Sequence, residues 1–403
     1  MTVVNLAALK SANFRTYVSG SIFGLLAIWM QRVTVGWIAW DLTGSSSFVG
    51  LIAFVQFAPA IVLSPLFGVW VDRVDVKRAT FLIQLVNFGV MFAFYIFFAV
   101  GWLAPVTMIA LTLISGIALA ANHPMRMSLA PRLVRRELVG SVVAIVAINF
   151  NVARTLGPAI GGVMIGTIGV AATLLVQALL FLPFLVALLR LEVRPRRDTA
   201  TDPGSFFEAL RQGLAHVWRT PVIWRAMVIG GALATIARGA LEILPPLADG
   251  VFQRGPEGLG VLLTATGMGA VVGGFFKAAL PPQAPGRIPN ITISAIVVGL
   301  LMVSALGAAP GWMLALTVAA AIAFVTTLSA ISMQTAIQME LEDDMRGRVM
   351  SLWAVVVAGG SAIGAWALGV LADLIGFQET LFWAGILSAA GLTLYLVISR
   401  RRG

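Results

Sequence analysis

Three arginines and one glutamate stand inside long apolar runs: Arg32 in FGLLAIWMQRVTVGWIAW, Arg154 in INFNVARTLGPAIGG, and Arg238 with Glu242 one helical turn later in LATIARGALEILPP. An arginine keeps its proton in any protein setting, so each is a fixed positive charge that an anion can neutralise. Glu242 is the expected proton carrier, and it can cycle a proton only if Arg238 swings away in one conformation. Thr235, Arg238, Glu242 and Pro245 fall on one helical face. Two further runs carry polar stripes, Thr112, Ser115 and Asn122 on one and Thr327, Gln334 and Gln338 on the other. Hydrogen bonding between helices and contact with a polar ligand both account for such stripes. An internal ion pair is the competing reading of Arg32, Arg238 and Glu242, and for Arg154 a structural role leads.

Other chemistries lack their residues. There is no cysteine, which removes disulfide scaffolds, thiolate metal sites and cysteine nucleophiles. No metal site or cofactor is expected. His123 and His216 have no acidic partner nearby in sequence, and no G-x-x-x-x-G-K-[ST] loop for ATP occurs. An intramembrane prenyl- or acyltransferase would need clustered aspartates or a His/Asp pair at the membrane surface. The one acidic cluster, Glu340 to Asp344, falls instead in a segment repeated elsewhere in the chain.

The elements that must position these groups are membrane helices. The 403 residues are 59% hydrophobic and 11% charged, whereas soluble domains carry about 25% charged residues. Unbroken apolar runs of roughly 18–20 residues exclude an alternating barrel strand and suit spanning helices. Twelve are predicted: 16–41, 46–71, 79–100, 103–124, 138–166, 168–190, 222–247, 258–280, 289–308, 311–337, 346–371 and 379–398. The N-terminal MTVVNLAALKSANFRTY has no signal-peptide core, so the first run reads as a retained helix. A net charge of +10 would suggest nucleic acid in a soluble protein; here its distribution sets topology. With both termini inside, all 27 basic residues but four (Arg32, Arg154, Arg238 and Arg254) lie on inner segments.

A charged Pro/Gly stretch and an amphipathic segment, residues 191–221, divide the chain into six-helix halves 1–190 and 222–403. Ser205 is the expected N-cap of the amphipathic helix, with Glu208 completing a capping box. Phe206, Leu210, Leu214 and Val217 form its expected apolar face. The halves repeat at an offset of 207 residues, which lays Gly140 on Gly347, Gly157 on Gly364, Gly162 on Gly369 and Gly169 on Gly376. Two parallel six-helix repeats are a construction plan of secondary transporters.

Between the second and third runs, Gly68, Asp72, Arg73, Lys77 and Arg78 stand in the order G-x-x-x-D-R-x-x-x-K-R. This resembles the signature of the major facilitator superfamily. Gly157, Pro158, Gly161 and Gly162 in the fifth run are similar to the glycine-proline motif of its proton-exchanging exporters. Nearly the whole chain, through segments such as PRLVRRELVGSVVAIVAINFNVARTLGPAIGG and DDMRGRVMSLWAVV, resembles the enterobactin-exporter and macrolide-efflux-like branch.

The resemblance implies an all-α protein of two pseudo-symmetric six-helix bundles in the bacterial inner membrane, working as a monomer. It implies that the first cluster is a conformational latch, with Asp72 facing the start of helix eleven near Arg346. It places helices one, four, seven and ten around a central cavity, so that Arg32, Arg238, Glu242, Arg154, Asn122 and Gln334 become candidates for substrate and proton coupling. The expected activity is proton-coupled efflux of a small anionic or zwitterionic compound; import of a metabolite or vitamin is the alternative. Two departures weaken the proton reading. Ile28 stands before Trp29 where relatives carry an acid, and the helix-four arginine of many antiporters is replaced at best by Arg126 at the inner end.

Overall fold

The computed structural model describes residues 7–71, 74–194 and 206–401. Its helices are α1 (Ala12–Thr43), α2 (Ser46–Trp70), α3 (Val76–Ala99), α4 (Pro105–Leu129), α5 (Val139–Leu179), α6 (Leu182–Arg190), α7 (Phe206–Arg219), α8 (Pro221–Leu233), α9 (Gly239–Glu242), α10 (Gly255–Ala279), α11 (Asn290–Gly307), α12 (Trp312–Met339), α13 (Asp343–Ile375) and α14 (Phe377–Arg401). No strand occurs among the described residues.

Eleven stretches of the described chain are long and apolar enough to cross a membrane. One of them, Arg136–Arg190, runs for 55 residues, about twice what a bilayer accommodates. Gly169 divides it: at φ 82° and ψ 168° its backbone leaves the helix inside α5. That break falls at the start of the sixth predicted run, 168–190, so the twelve-helix layout stands. Gly376, its counterpart in the repeat, also has positive φ, 97°, and turns α13 into α14. A side chain at either position would be strained, which is why glycine serves there.

The predicted boundaries shift where polar residues extend a helix beyond its apolar part. The first helix runs from Ala12 to Thr43 rather than over 16–41. The seventh differs more. Within its predicted span 222–247 the chain passes from α8 into a π-helical turn, Ala234–Arg238, then α9, a break at Ile243, and a second π-helical turn, Pro246–Val251. Pro245 and Pro246 supply no backbone N–H, so the regular ladder cannot pass them.

The described helices form two compact units, Met1–Ile38 with Val55–Asp202, and Ala39–Phe54 with Pro203–Gly403. The end of the first hairpin thus packs with the second unit, a division that differs from an even split into six and six. At the basic end of the first unit, Phe14, Tyr17, Met125, Leu129, Phe184 and Leu188 form one buried cluster. In the second unit α10 lies along α12, with Gly269 against the Ala320 carbonyl and Gly273 against that of Phe324. α13 approaches the first π turn so closely that a Cβ on Gly364 would collide with the Thr235 carbonyl.

The amphipathic helix α7 is present, and Leu210 and Leu214 of its expected apolar face are exposed. Val217 is buried, while Leu214 and Trp218 are 52% and 73% exposed, as suits a helix lying on a lipid surface. Ser205 lies outside the described residues. Glu208 accepts hydrogen bonds from Arg211 at 2.9 Å and Gln212 at 2.9 Å, which hold its carboxyl below its ordinary value.

Close backbone approach predicts a sharp contrast within one helix. Gly364→Leu forces α13 off the π turn and lowers stability by about 3 kcal/mol, or roughly 6 °C and more in melting temperature. Gly347→Ala, which meets nothing within 4 Å, leaves melting unchanged; thermal unfolding of the purified protein in detergent measures both.

Candidate functional site

In the first unit, α1 carries a polar face that only neighbouring helices can satisfy in hydrocarbon. Gln31 is 1% exposed and donates to Ser115 of α4 at 2.8 Å. Gln177, beyond the Gly169 break, donates to Thr34 at 2.6 Å. Between these ties, the Arg32 guanidinium lies 4.8 Å from the Trp29 ring and 4.6 Å from the Phe57 ring. Aromatic faces favour a cation electrostatically and cover it from lipid. Arginine identity was legible in the sequence; Gln31, Trp29 and Phe57 as its setting were not, because their roles depend on which helices meet.

The helix-five motif touches this same point. A Cβ on Gly157 would sit 2.5 Å from Trp29 Cβ, and one on Gly161 3.3 Å from Met30 Cα. Gly162 is buried and α5 continues through Pro158. Small residues therefore let α5 press against α1 one turn from Arg32. Arg154 is half-buried on α5 just before the motif. Of the helix-four stripe, Thr112 and Ser115 are buried, and Asn122 lines a small cavity with Arg126.

In the second unit, Arg238 closes the first π-helical turn and Glu242 ends α9. π turns shift the register of side chains along a helix and recur at functional sites. Ser361 of α13 donates to Glu242 at 3.4 Å. A Cβ on Gly239 would lie 2.9 Å from the Gly364 carbonyl carbon, so α13 braces the turn that carries both charges. Arg32, Arg154, Arg238 and Glu242 are all engaged by neighbours. On α12, Gln334 and Gln338 are exposed, while Thr326, Ser329 and Ser332 are buried on the opposite side.

The second unit also holds a constellation the sequence did not point to. Asp373 near the end of α13 accepts from Ser45 Oγ at 2.7 Å, Ser46 N at 2.8 Å and Ser47 N at 3.0 Å. It thereby caps the N-terminus of α2, where free N–H groups and the helix dipole favour a carboxylate. Trp40 Nε1 donates to Asp249 at 2.9 Å, and a Cβ on Gly250 would stand 2.8 Å from the Trp40 ring. Close contact of Gly50 with the Ala365 carbonyl and Gly369 with that of Ser46 completes the joint. No local pattern announces bonds across more than 320 residues.

Of the signature cluster, Asp72 and Arg73 lie outside the described residues, and Gly68 falls in the last turn of α2. Asp75 is the N-cap of α3, accepting from Lys77 N and Arg78 N. Lys77 Nζ donates to the Leu189 and Leu191 carbonyls at 3.2 and 2.7 Å, capping the end of α6 within its own unit. Arg78 lies 3.7 Å from Asp75, with 86% of its side chain exposed.

The family described as transmembrane secretion effector, a branch of the major facilitator superfamily, matches residues 3–402. Enterobactin exporter EntS of Escherichia coli O1:K1 is 26% identical over 395 residues, covering 93% of this chain and 88% of that protein. Among solved structures, a bacterial homologue of the human lysosomal transporter Spinster, inward-facing and unoccupied, superposes with a TM-score of 0.72 at 15% identity over 96% of this chain and 95% of that one. The D-xylose–proton symporter gives 0.69 at 13% identity over 94% and 97%. These structural likenesses establish the fold.

Asp373→Ala leaves Ser46 N and Ser47 N of α2, and the Ser45 hydroxyl before it, without this acceptor and is expected to lower stability by about 1–3 kcal/mol. Ser45→Ala, which removes one donor, costs about 1 kcal/mol or less. Melting temperatures of the two variants, with limited proteolysis at residues 43–47 as a second readout, check the order.

Proposed function

Because the chain belongs to the major facilitator superfamily, in its transmembrane secretion effector family, we propose that it exports a small organic anion or zwitterion by alternating access of its two halves. The observation that carries this reading is the π turn of helix seven. It places Arg238, a permanent cation, one turn from Glu242, and α13 braces both through Gly239 and Ser361. A regular helix would be the cheaper way to cross a bilayer. Keeping a π turn, an arginine and a carboxylate together there fits a binding role better than a spacer's.

In this mechanism Arg238 attracts the anionic part of the cargo, and Arg32, held between Trp29 and Phe57, supplies a second positive charge on the first half. Glu242 is the proton carrier. Cargo and proton occupy the site in turn: cargo arriving from the inner side engages Arg238 and displaces the proton of Glu242 inward. Release of cargo on the outer side, with Arg238 swung away, lets Glu242 take up a proton there, so each cargo that leaves is exchanged for a proton that enters. Export draws support from the 26%-identical exporter and from the Gly157–Gly162 motif pressing on α1. Enterobactin, the cargo in that relative's name, is the first compound to test. From the family we infer an inner-membrane monomer, and from the charge bias that both termini are cytoplasmic.

Inside-out membrane vesicles test direction and coupling together. Uptake of cargo into acid-interior vesicles supports export, and uptake only into right-side-out vesicles would favour import. Glu242→Gln is expected to abolish the response to a pH gradient while cargo binding persists; equal gradient-driven transport in that variant would remove Glu242 from the mechanism. Arg238→Ala should weaken an anionic cargo about tenfold or more, the equivalent of roughly 1.4 kcal/mol, and leave a neutral analogue unaffected.

A further inference from the structure

Arg126 does not fit the pattern of the other basic residues at its end of the chain. Most of those are exposed and answer to topology alone; Arg126 is 9% exposed, within α4. Its guanidinium carbon lies 4.4 Å from the Phe150 ring. It makes no ion pair with any described carboxylate, and its Nε has no hydrogen-bond partner. The guanidinium stays protonated, and among the described residues no carboxylate pairs with it.

Two more unpaired groups converge on the same small cavity, which is lined by Tyr17, Ser21, Thr80, Gln84, Asn122 and Arg126 among others. Asn122 Nδ2 has no acceptor, and Gln84, 2% exposed, has an unpartnered amide oxygen. Turning that amide over presents an N–H₂ group at no change of shape. The cavity gives about 10 Å³ to the centre of a water-sized sphere, the space of a single water or ion. Water would satisfy the donors and leave the charge unanswered. A cation is repelled, and a cargo much larger than formate does not fit.

We propose that Arg126, Asn122 and Gln84 form a binding site for one small monoanion, of halide size, inside the first six-helix half. The bound ion neutralises Arg126 and accepts the hydrogen bonds of Asn122 and Gln84, tying α3 to α4 beside α1. None of Arg32, Arg238 and Glu242 lines this cavity; Asn122, a substrate candidate from the sequence, belongs to it. The same chemistry suits an inorganic halide and a compact carboxylate.

The test uses the purified full chain in detergent with sodium gluconate as the bulky reference anion. Chloride, bromide or formate replaces gluconate stepwise at constant ionic strength. Melting temperature is expected to rise saturably by about 2–4 °C. A rise with halides assigns an inorganic ion, and a rise with formate alone assigns a carboxylate; both support the site. Arg126→Gln should lose the rise. Asn122→Asp supplies its own carboxylate to Arg126, so it should melt higher in gluconate and gain nothing from halide or formate, which keeps the test decisive if Arg126→Gln does not fold. Arg135→Gln, at an exposed position, should keep the full rise. Equal melting in gluconate, halide and formate, or an undiminished rise in Asn122→Asp, would overturn the proposal.

Discussion

Helices in hydrocarbon gain nothing hydrophobic by leaving lipid for one another, so contact distance decides how they assemble. The closest such contact governing the candidate site is between Gly364 of α13 and the Thr235 carbonyl in the first π turn. Gly239 on the other side of the joint lets the two backbones meet without a side chain between them. Everything chemical in the second half hangs on that approach. It fixes the turn that ends in Arg238, and brings Ser361 within 3.4 Å of Glu242. A bulkier residue at either glycine would separate the brace from the charges.

The first half uses the corresponding pieces. Gly157 precedes Gly364 by 207 residues, and Trp29, which it touches, stands 207 residues before Ile236, next to Thr235. Helix five thus presses on helix one as helix eleven presses on helix seven, and each joint adjoins an arginine. The repeat was legible from glycine spacing, and the reason differs by position. Gly169 and Gly376 both need positive φ; Gly157 and Gly364 both need closeness; Gly140 and Gly347 meet nothing within 4 Å and share neither demand.

Twelve helices and their order could be read from the sequence because length and hydropathy are local properties. So could the embedded charges, since an arginine in an apolar run is visible wherever it points. The π turns could not, because a helix adopts i→i+5 bonding only where packing repays the poorer geometry. Asp373 was likewise invisible: as a lone acid at a helix end it reads as an interfacial residue, until Ser45, Ser46 and Ser47 arrive from the other end of the sequence. Lys77 was legible as part of a motif, but its bonds to the Leu189 and Leu191 carbonyls assign it to the end of α6.

The buried arginines show why a count of charges is a weaker guide than their company. An arginine at the bilayer centre costs about 2.5–3.5 kcal/mol on insertion scales, and a cation over an aromatic face recovers about 0.5–2 kcal/mol. Arg32 has two such faces, which is enough to offset most of that cost. Arg238 has Glu242 one turn away. Arg126 has a single face and no carboxylate, and a position near the helix end lowers its cost without cancelling it. A residue serving topology alone would reach outward to water, as Arg78 does. Arg126 instead lines one small cavity with Asn122 and Gln84, where the proposed anion would balance its charge, and among the described residues no carboxylate pairs with it.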